Sequence, residues 1–135
     1  HPLTILQKKA IRLITFSKFD AHSTPLFYRL EILKFIDLIF TNNALFMYDF
    51  HTGTLPPVFN DFFRPIHKVH QYNTRLASKK SFYIPKIRTN YGKFSIRFNG
   101  AKIWNSIQDD FKLKGRNVFK RCLKESILNE YQFDT

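Results

Sequence analysis

Residues 62–108 read FFRPIHKVHQYNTRLASKKSFYIPKIRTNYGKFSIRFNGAKIWNSIQ. Ten basic side chains lie in this stretch (Arg64, Lys68, Arg75, Lys79, Lys80, Lys86, Arg88, Lys93, Arg97 and Lys102), and it holds no Asp or Glu. Nine aromatics are threaded among them, including Tyr72, Phe82, Tyr83, Tyr91, Phe94 and Trp104. Residues 66–91 show no 3.6-residue apolar stripe, so they read as extended chain. One short hairpin is expected, pairing 82–84 with 94–98 across a turn at Asn90-Tyr91-Gly92. Helical spacing returns at 100–107 through Ala101, Ile103, Trp104 and Ile107. The stretch sets the fold class: mainly α with a small irregular β segment (α+β).

The flanks are helical. Residues 3–16 place Leu3, Leu6, Ala10, Leu13 and Ile14 at helical spacing, with Lys8, Lys9 and Arg12 opposite and Ile5 breaking the polar face. Ser23-Thr24-Pro25 reads as a cap followed by Pro at the first position of a short helix over 25–31. A longer helix is expected over 34–50, ended by Thr52-Gly53. Its main stripe is Ile36, Ile39, Phe40, Phe46, Met47 and Phe50, with Asp37, Thr41 and Tyr48 opposite. Phe35, Leu38 and Leu45 add a second apolar edge, so this helix packs on two sides or faces a neighbour. Pro57 and Pro65 bracket a short helical turn near 58–63. A last amphipathic helix, capped by Asn117, covers 117–131, with Val118, Phe119, Cys122, Leu123 and Ile127 inward.

The 135 residues fit one domain, with a helical half at 1–61, the basic segment at 62–108 and a C-terminal helix at 109–135. Residues 1–61 and 109–135 each carry six basic and five acidic side chains, so the net +12 is +1, +10 and +1. A solvated surface ordinarily mixes both signs, and an acid-free basic block fits a polyanionic partner. Sixteen Phe in a chain that is 44% hydrophobic exclude wholesale disorder. No apolar run reaches the roughly 20 residues of a membrane span, so no membrane partner is expected. A single cysteine forms no internal disulfide and suits a reducing interior. Nuclear and cytoplasmic residence is expected. The chain starts on His1, which reads as a segment of a longer protein.

Catalytic chemistry finds little support. Asp109-Asp110 could hold metal ions for phosphoryl transfer, but no third carboxylate comes from the acid-free segment. The pair reads as a solvated loop whose charge favours the helix start at Asn117. Cys122 lies on an apolar face and reads as a small hydrophobe despite its cationic neighbours. His67 and His70 have no matching pair for zinc. No catalytic or metal-binding residue is therefore assigned. Phosphate contacts are assigned to Lys8, Lys9 and Arg12 on the first helix and to Arg64, Lys68, Arg75, Lys79, Lys80, Lys86, Arg88, Lys93 and Arg97. Tyr72 and Tyr91 are placed near sugars or bases, where a hydroxyl tolerates the water boundary. Phe94, Phe98 and Trp104 are assigned to the core.

Three elements recur together elsewhere: Leu6 to Arg12 (Leu-Gln-Lys-Lys-Ala-Ile-Arg), Tyr72-Asn73-Thr74-Arg75, and Gly100-Ala101-Lys102-Ile103-Trp104-Asn105-Ser106. With Pro25-Leu26-Phe27 and Phe119-Lys120, this ordered set resembles the C-terminal portion of reverse transcriptases from non-LTR (LINE-type, jockey-like) retrotransposons. The resemblance implies a region at and beyond the thumb, which grips the template–primer duplex of RNA and DNA by its backbone. It implies an upstream polymerase domain in the same polypeptide that carries the catalytic aspartates and their Mg²⁺, and no cofactor in this segment. Where that family continues with Leu-Pro after the Trp-Asn-Ser element, this chain has Ile107-Gln108. The expected function is therefore a non-catalytic, nucleic-acid-gripping part of an RNA-directed DNA polymerase. The alternatives are a module that completes the upstream polymerase fold through protein contacts, or a decayed fragment.

Overall fold

The computed structural model describes residues 1–69, 71, 72, 75 and 81–134. The protein is mainly α. The helices are α1 (Pro2–Ile14), α2 (Ser23–Arg29), α3 (Phe35–Thr52), α4 (Ile66–Val69), α5 (Asn90–Lys93), α6 (Ile96–Ser106), α7 (Asp109–Lys112) and α8 (Arg116–Phe133), with a 3₁₀ turn at Pro57–Phe59. Among the described residues no helix is long and apolar enough to cross a membrane. The chain divides into two compact units, one of His1–Thr41 with Asn117–Thr135 and the other of Asn42–Arg116.

Three helices end in the same way. After α3, Gly53 takes φ +73°, its N–H reaches Phe50 O at 3.2 Å, and Thr54 N–H reaches Asp49 O at 3.0 Å. This paired bonding satisfies the last carbonyls of the helix. Phe16 (φ +51°) ends α1 and Glu31 (φ +53°) ends α2 in the same left-handed conformation, with the same bond pairs to Leu13 and Arg12 and to Tyr28 and Phe27. A side chain makes that conformation unfavourable. No glycine marks either end, which is why spacing alone carries α1 and α2 two residues too far.

In the first unit Ile11, Phe27, Leu33, Ile127, Leu128 and Tyr131 form the core, with Leu26, Leu30 and Phe40 packed around it. The α1 stripe expected to face inward is turned out: Leu3, Leu6, Leu13 and Ile14 are 48–76% exposed, while Ile11 is buried. Gln7 fixes this orientation. Its amide donates to Leu33 O (2.9 Å) and accepts from Phe35 N–H (2.7 Å), which holds the Gln7–Ile11 side against the next segment. The start of α3 shows the same inversion, with Ile36 and Ile39 exposed and Thr41 buried. Thr41 tolerates burial because its hydroxyl donates to Asp37 O at 2.8 Å. Helix α8 buries Phe119, Leu123, Ile127, Leu128 and Tyr131, and Cys122 sits half-buried at its edge. It begins at Arg116, so Asn117 lies inside its first turn instead of capping it.

Tyr131 ties this unit together. Its phenol donates to Asp37 Oδ2 and accepts from Lys34 N–H at 3.0 Å, and Lys34 Nζ lies 4.3 Å over the ring. Burial first, and then the bond to Asp37, raise the phenol's pKa well above the ordinary 10.0. The unfolded tyrosine ionises at lower pH than the folded one. The stability this tie supplies is therefore complete below about 10 and falls as pH rises beyond it. Tyr131→Phe strands Asp37 and the Lys34 amide. It is expected to lower stability by about 1.5–3 kcal/mol, read as a shifted urea midpoint with unchanged slope.

Candidate nucleic-acid interface

The second unit is built on aromatic contacts. Phe50 meets Phe63 at 4.8 Å and Phe82 at 5.4 Å between ring centroids, both edge-on, and Phe82 meets Trp104 at 6.3 Å. Trp104 is fully buried and also faces His51 at 5.1 Å. Helix α6 approaches α3 closely: a Cβ on Gly100 would lie 2.7 Å from Met47 Sδ and 3.3 Å from Phe63. Only glycine fits there without displacing Met47. Tyr48 is buried as well and donates to Lys114 O at 2.8 Å.

The basic segment is fastened at its root. Pro65 and Phe82 form an antiparallel bridge, in which Ile66 N–H reaches Ser81 O (3.0 Å) and Tyr83 N–H reaches Arg64 O (2.8 Å). Pro65 occupies the position that asks for no N–H, so proline is tolerated. The backbone N–H and C=O of Phe82 point to the other side, where they would need a further strand. The Asn105 side chain takes that place. Its Oδ1 accepts from Phe82 N–H at 2.9 Å, and its Nδ2 donates to Phe82 O at 2.8 Å. Trp104 and Asn105 thus grip the ring and the backbone of the same residue.

This arrangement replaces the hairpin expected between 82–84 and 94–98. Residues 96–106 are helix α6, which follows Ser95 in extended conformation. Asn90–Lys93 coil into the single turn α5 because the Thr89 hydroxyl accepts from Gly92 N–H at 3.1 Å. Phe94 leaves the core altogether and is 80% exposed. Phe98 is half-buried, and Trp104 is buried as expected.

Arg64, Lys68, Arg75, Lys86, Arg88, Lys93, Arg97 and Lys102 are all exposed, as are Tyr72 (83%) and Tyr91 (90%). Lys79 and Lys80 lie outside the described residues, as does His70. Arg64 and Lys68 line an open cleft of about 890 Å³ with Asn60 and Asp61, so one carboxylate sits beside these two cations. Arg97 lies 4.5 Å over the Phe62 ring, an orientation that fixes its guanidinium while leaving the residue exposed. Lys8, Lys9 and Arg12 belong to the other unit. Lys9 is exposed and Lys8 half-buried, whereas Arg12 Nε is spent on Ala21 O at 2.8 Å.

Asp109 and Asp110 do not form a loop but open helix α7, where Asp109 pairs with Lys112 at 3.2 Å. Carboxylates in a first helical turn favour the helix start. Arg116 pairs bidentately with Asp49 (2.8 and 3.1 Å), which raises the guanidinium pKa chiefly through that hydrogen bond. Arg116 is exposed, so the pair fixes geometry more than it stabilises. Among the described residues no group of three or more His, Cys, Asp or Glu is placed to hold a metal ion. Sequence reasoning gave Asn105 no role of its own and placed Phe94 in the core, where the structure exposes it. Asn105 stands in the Gly-Ala-Lys-Ile-Trp-Asn-Ser element, but nothing in the one-dimensional pattern names Phe82 as its partner. No protein-family model matches the chain, and neither does any curated protein or solved structure.

Proposed function

We propose that the chain grips a template–primer duplex of RNA and DNA by its phosphates, as a non-catalytic, thumb-like part of a retrotransposon RNA-directed DNA polymerase. The observation that carries this reading is the acid-free block at 62–108, whose described cations all face solvent. Neutralising phosphates releases counterions, and this supplies affinity without reading sequence. The ordered motifs from Leu6 to Lys120 support the assignment to a non-LTR reverse transcriptase. The isolated bridge Pro65–Phe82 gives the basic segment a fixed root. Polymerase chemistry and its Mg²⁺ belong upstream of these residues.

The test is charge reversal at Lys79, Lys80, Arg88 and Lys93 to Glu, with binding to duplex and RNA–DNA hybrid measured by filter retention. The slope of log affinity against log salt should fall by about one for each phosphate-contacting residue replaced. A second reading draws on the exposed apolar stripe Leu3, Leu6, Leu13 and Ile14 of α1. Such a face fits docking onto another part of a polymerase. Nucleic-acid affinity that survives charge reversal, together with docking to the upstream domain that is lost on Leu6→Glu and Leu13→Glu, decides for that reading.

A further inference from the structure

The structure sets two large aromatic side chains on one outward face of the α5 turn. Tyr91 is 90% and Phe94 80% exposed, and they stand three residues apart in continuous helical bonding, with Phe94 N–H to Tyr91 O at 3.1 Å. Side chains so spaced are neighbours, about 5–6 Å apart at Cβ. The other side of the turn is closed by packing: a Cβ on Gly92 would collide with Ile87 Cγ2. The inner face is thus fixed by Gly92 against Ile87, and Tyr91 and Phe94 are held outward. An exposed phenylalanine beside an exposed tyrosine exceeds what a solvated turn requires. Arg88, Lys93 and Arg97 lie within three residues of the pair along the chain and are exposed too, and no Asp or Glu occurs from residue 62 to residue 108.

We infer that Tyr91 and Phe94 form a stacking platform for unpaired nucleotides, with Arg88, Lys93 and Arg97 holding the adjoining phosphates. A duplex keeps its bases stacked on each other and offers a platform only its backbone and its ends. A single strand presents π-faces that every base shares, so the platform selects strandedness and tolerates sequence. Positive charge draws the backbone in, and the rings then discriminate single from double strands. This inference rests on the nucleic-acid reading above and narrows it: the template overhang, beyond the paired region, is the part that lies here.

The test uses the full 135-residue chain with two probes, a 5′-labelled twelve-nucleotide oligothymidylate and a blunt twelve-base-pair duplex, by fluorescence anisotropy across a salt series. Tyr91→Ala and Phe94→Ala should each weaken oligothymidylate binding about 5- to 150-fold, the range found for loss of one base–aromatic stack. Duplex affinity should change less than twofold, and the salt slope should not change, because no charge is removed. Tyr91→Phe should retain single-strand affinity. Both sites are exposed, so unchanged far-UV circular dichroism confirms that the variants fold. Undiminished single-strand binding in the alanine variants overturns the platform, as does equal loss on both probes. If the unaltered chain binds neither probe at low salt, the nucleic-acid reading fails and the platform with it. Binding that persists with a steep salt slope but ignores both rings removes the platform alone.

Discussion

Trp104→Ala is expected to destabilise the protein by about 3–5 kcal/mol, the range for removing a large aromatic from a packed interior. The indole is fully buried, faces Phe82 and His51, and is roofed by Lys112 Nζ at 4.9 Å from the ring centroid. Removing it opens a cavity beside Phe82, which cannot slide to fill the space. Its backbone is bonded to Asn105 on one side, and its neighbours Ser81 and Tyr83 to Ile66 and Arg64 on the other. A site held this firmly collapses poorly, and the cost of a cavity rises with the volume that remains. Trp104 is the only tryptophan, so unfolding is best followed by far-UV circular dichroism in urea. Phe94→Ala is the control. Phe94 is comparably bulky but 80% exposed, and its loss should stay within about 0.5 kcal/mol. A Trp104→Ala loss below about 1 kcal/mol would contradict this packing.

Periodicity locates helices well but assigns their faces poorly when a helix is apolar on two sides. Helix α3 is read at nearly its full length because Gly53 announces its end, yet Ile36 and Ile39 face solvent where the spacing turns them inward. The deciding contacts are polar and long-range. Gln7 reaches Leu33 and Phe35, and Tyr131 reaches Asp37, more than 90 positions away along the chain. No local window contains both partners. The same holds for the basic segment. Its charge is plain in the sequence, and so is the exposure of its cations, since ionised side chains are rarely buried without a partner. The hairpin fails for a local reason: Thr89 caps a helical turn, and Ser95 starts a helix in the place of a strand. Phe82 makes only an isolated bridge to Pro65, and its other backbone edge is met by an asparagine side chain.

The Gly-Ala-Lys-Ile-Trp-Asn-Ser element now has a physical reason for each of its less replaceable members. Gly100 allows α6 to lie against Met47, and Ala101 is fully buried. Trp104 fills the centre, Asn105 clamps Phe82, and Lys102 projects into solvent. A motif that first suggests kinship therefore also reads as the device that fastens the root of the basic segment. Trp104 and Asn105 hold Phe82 in place, and Tyr83, Lys86 and Arg88 follow from that fixed point.

Raising salt from 50 to 200 mM should weaken binding to duplex by about 10³–10⁵, the loss that accompanies 6–10 phosphate contacts. The block supplies eight described and exposed cations, Arg64, Lys68, Arg75, Lys86, Arg88, Lys93, Arg97 and Lys102. At about 0.9 counterion released per contact they set a slope near −7, steep enough to fall inside that range. The neighbouring Asp61 and the engagement of Arg97 with Phe62 act to reduce the number somewhat. Lys79 and Lys80 act to raise it. Binding through the apolar stripe of α1 has the opposite signature, because burial of hydrocarbon is not weakened by simple salt and is strengthened by sulfate. One titration in sodium chloride and one in sodium sulfate at matched ionic strength therefore separate the two surfaces. A flat response in chloride would leave the phosphate grip without its driving force, and the cations of 62–108 would then have to answer to an acidic protein surface instead.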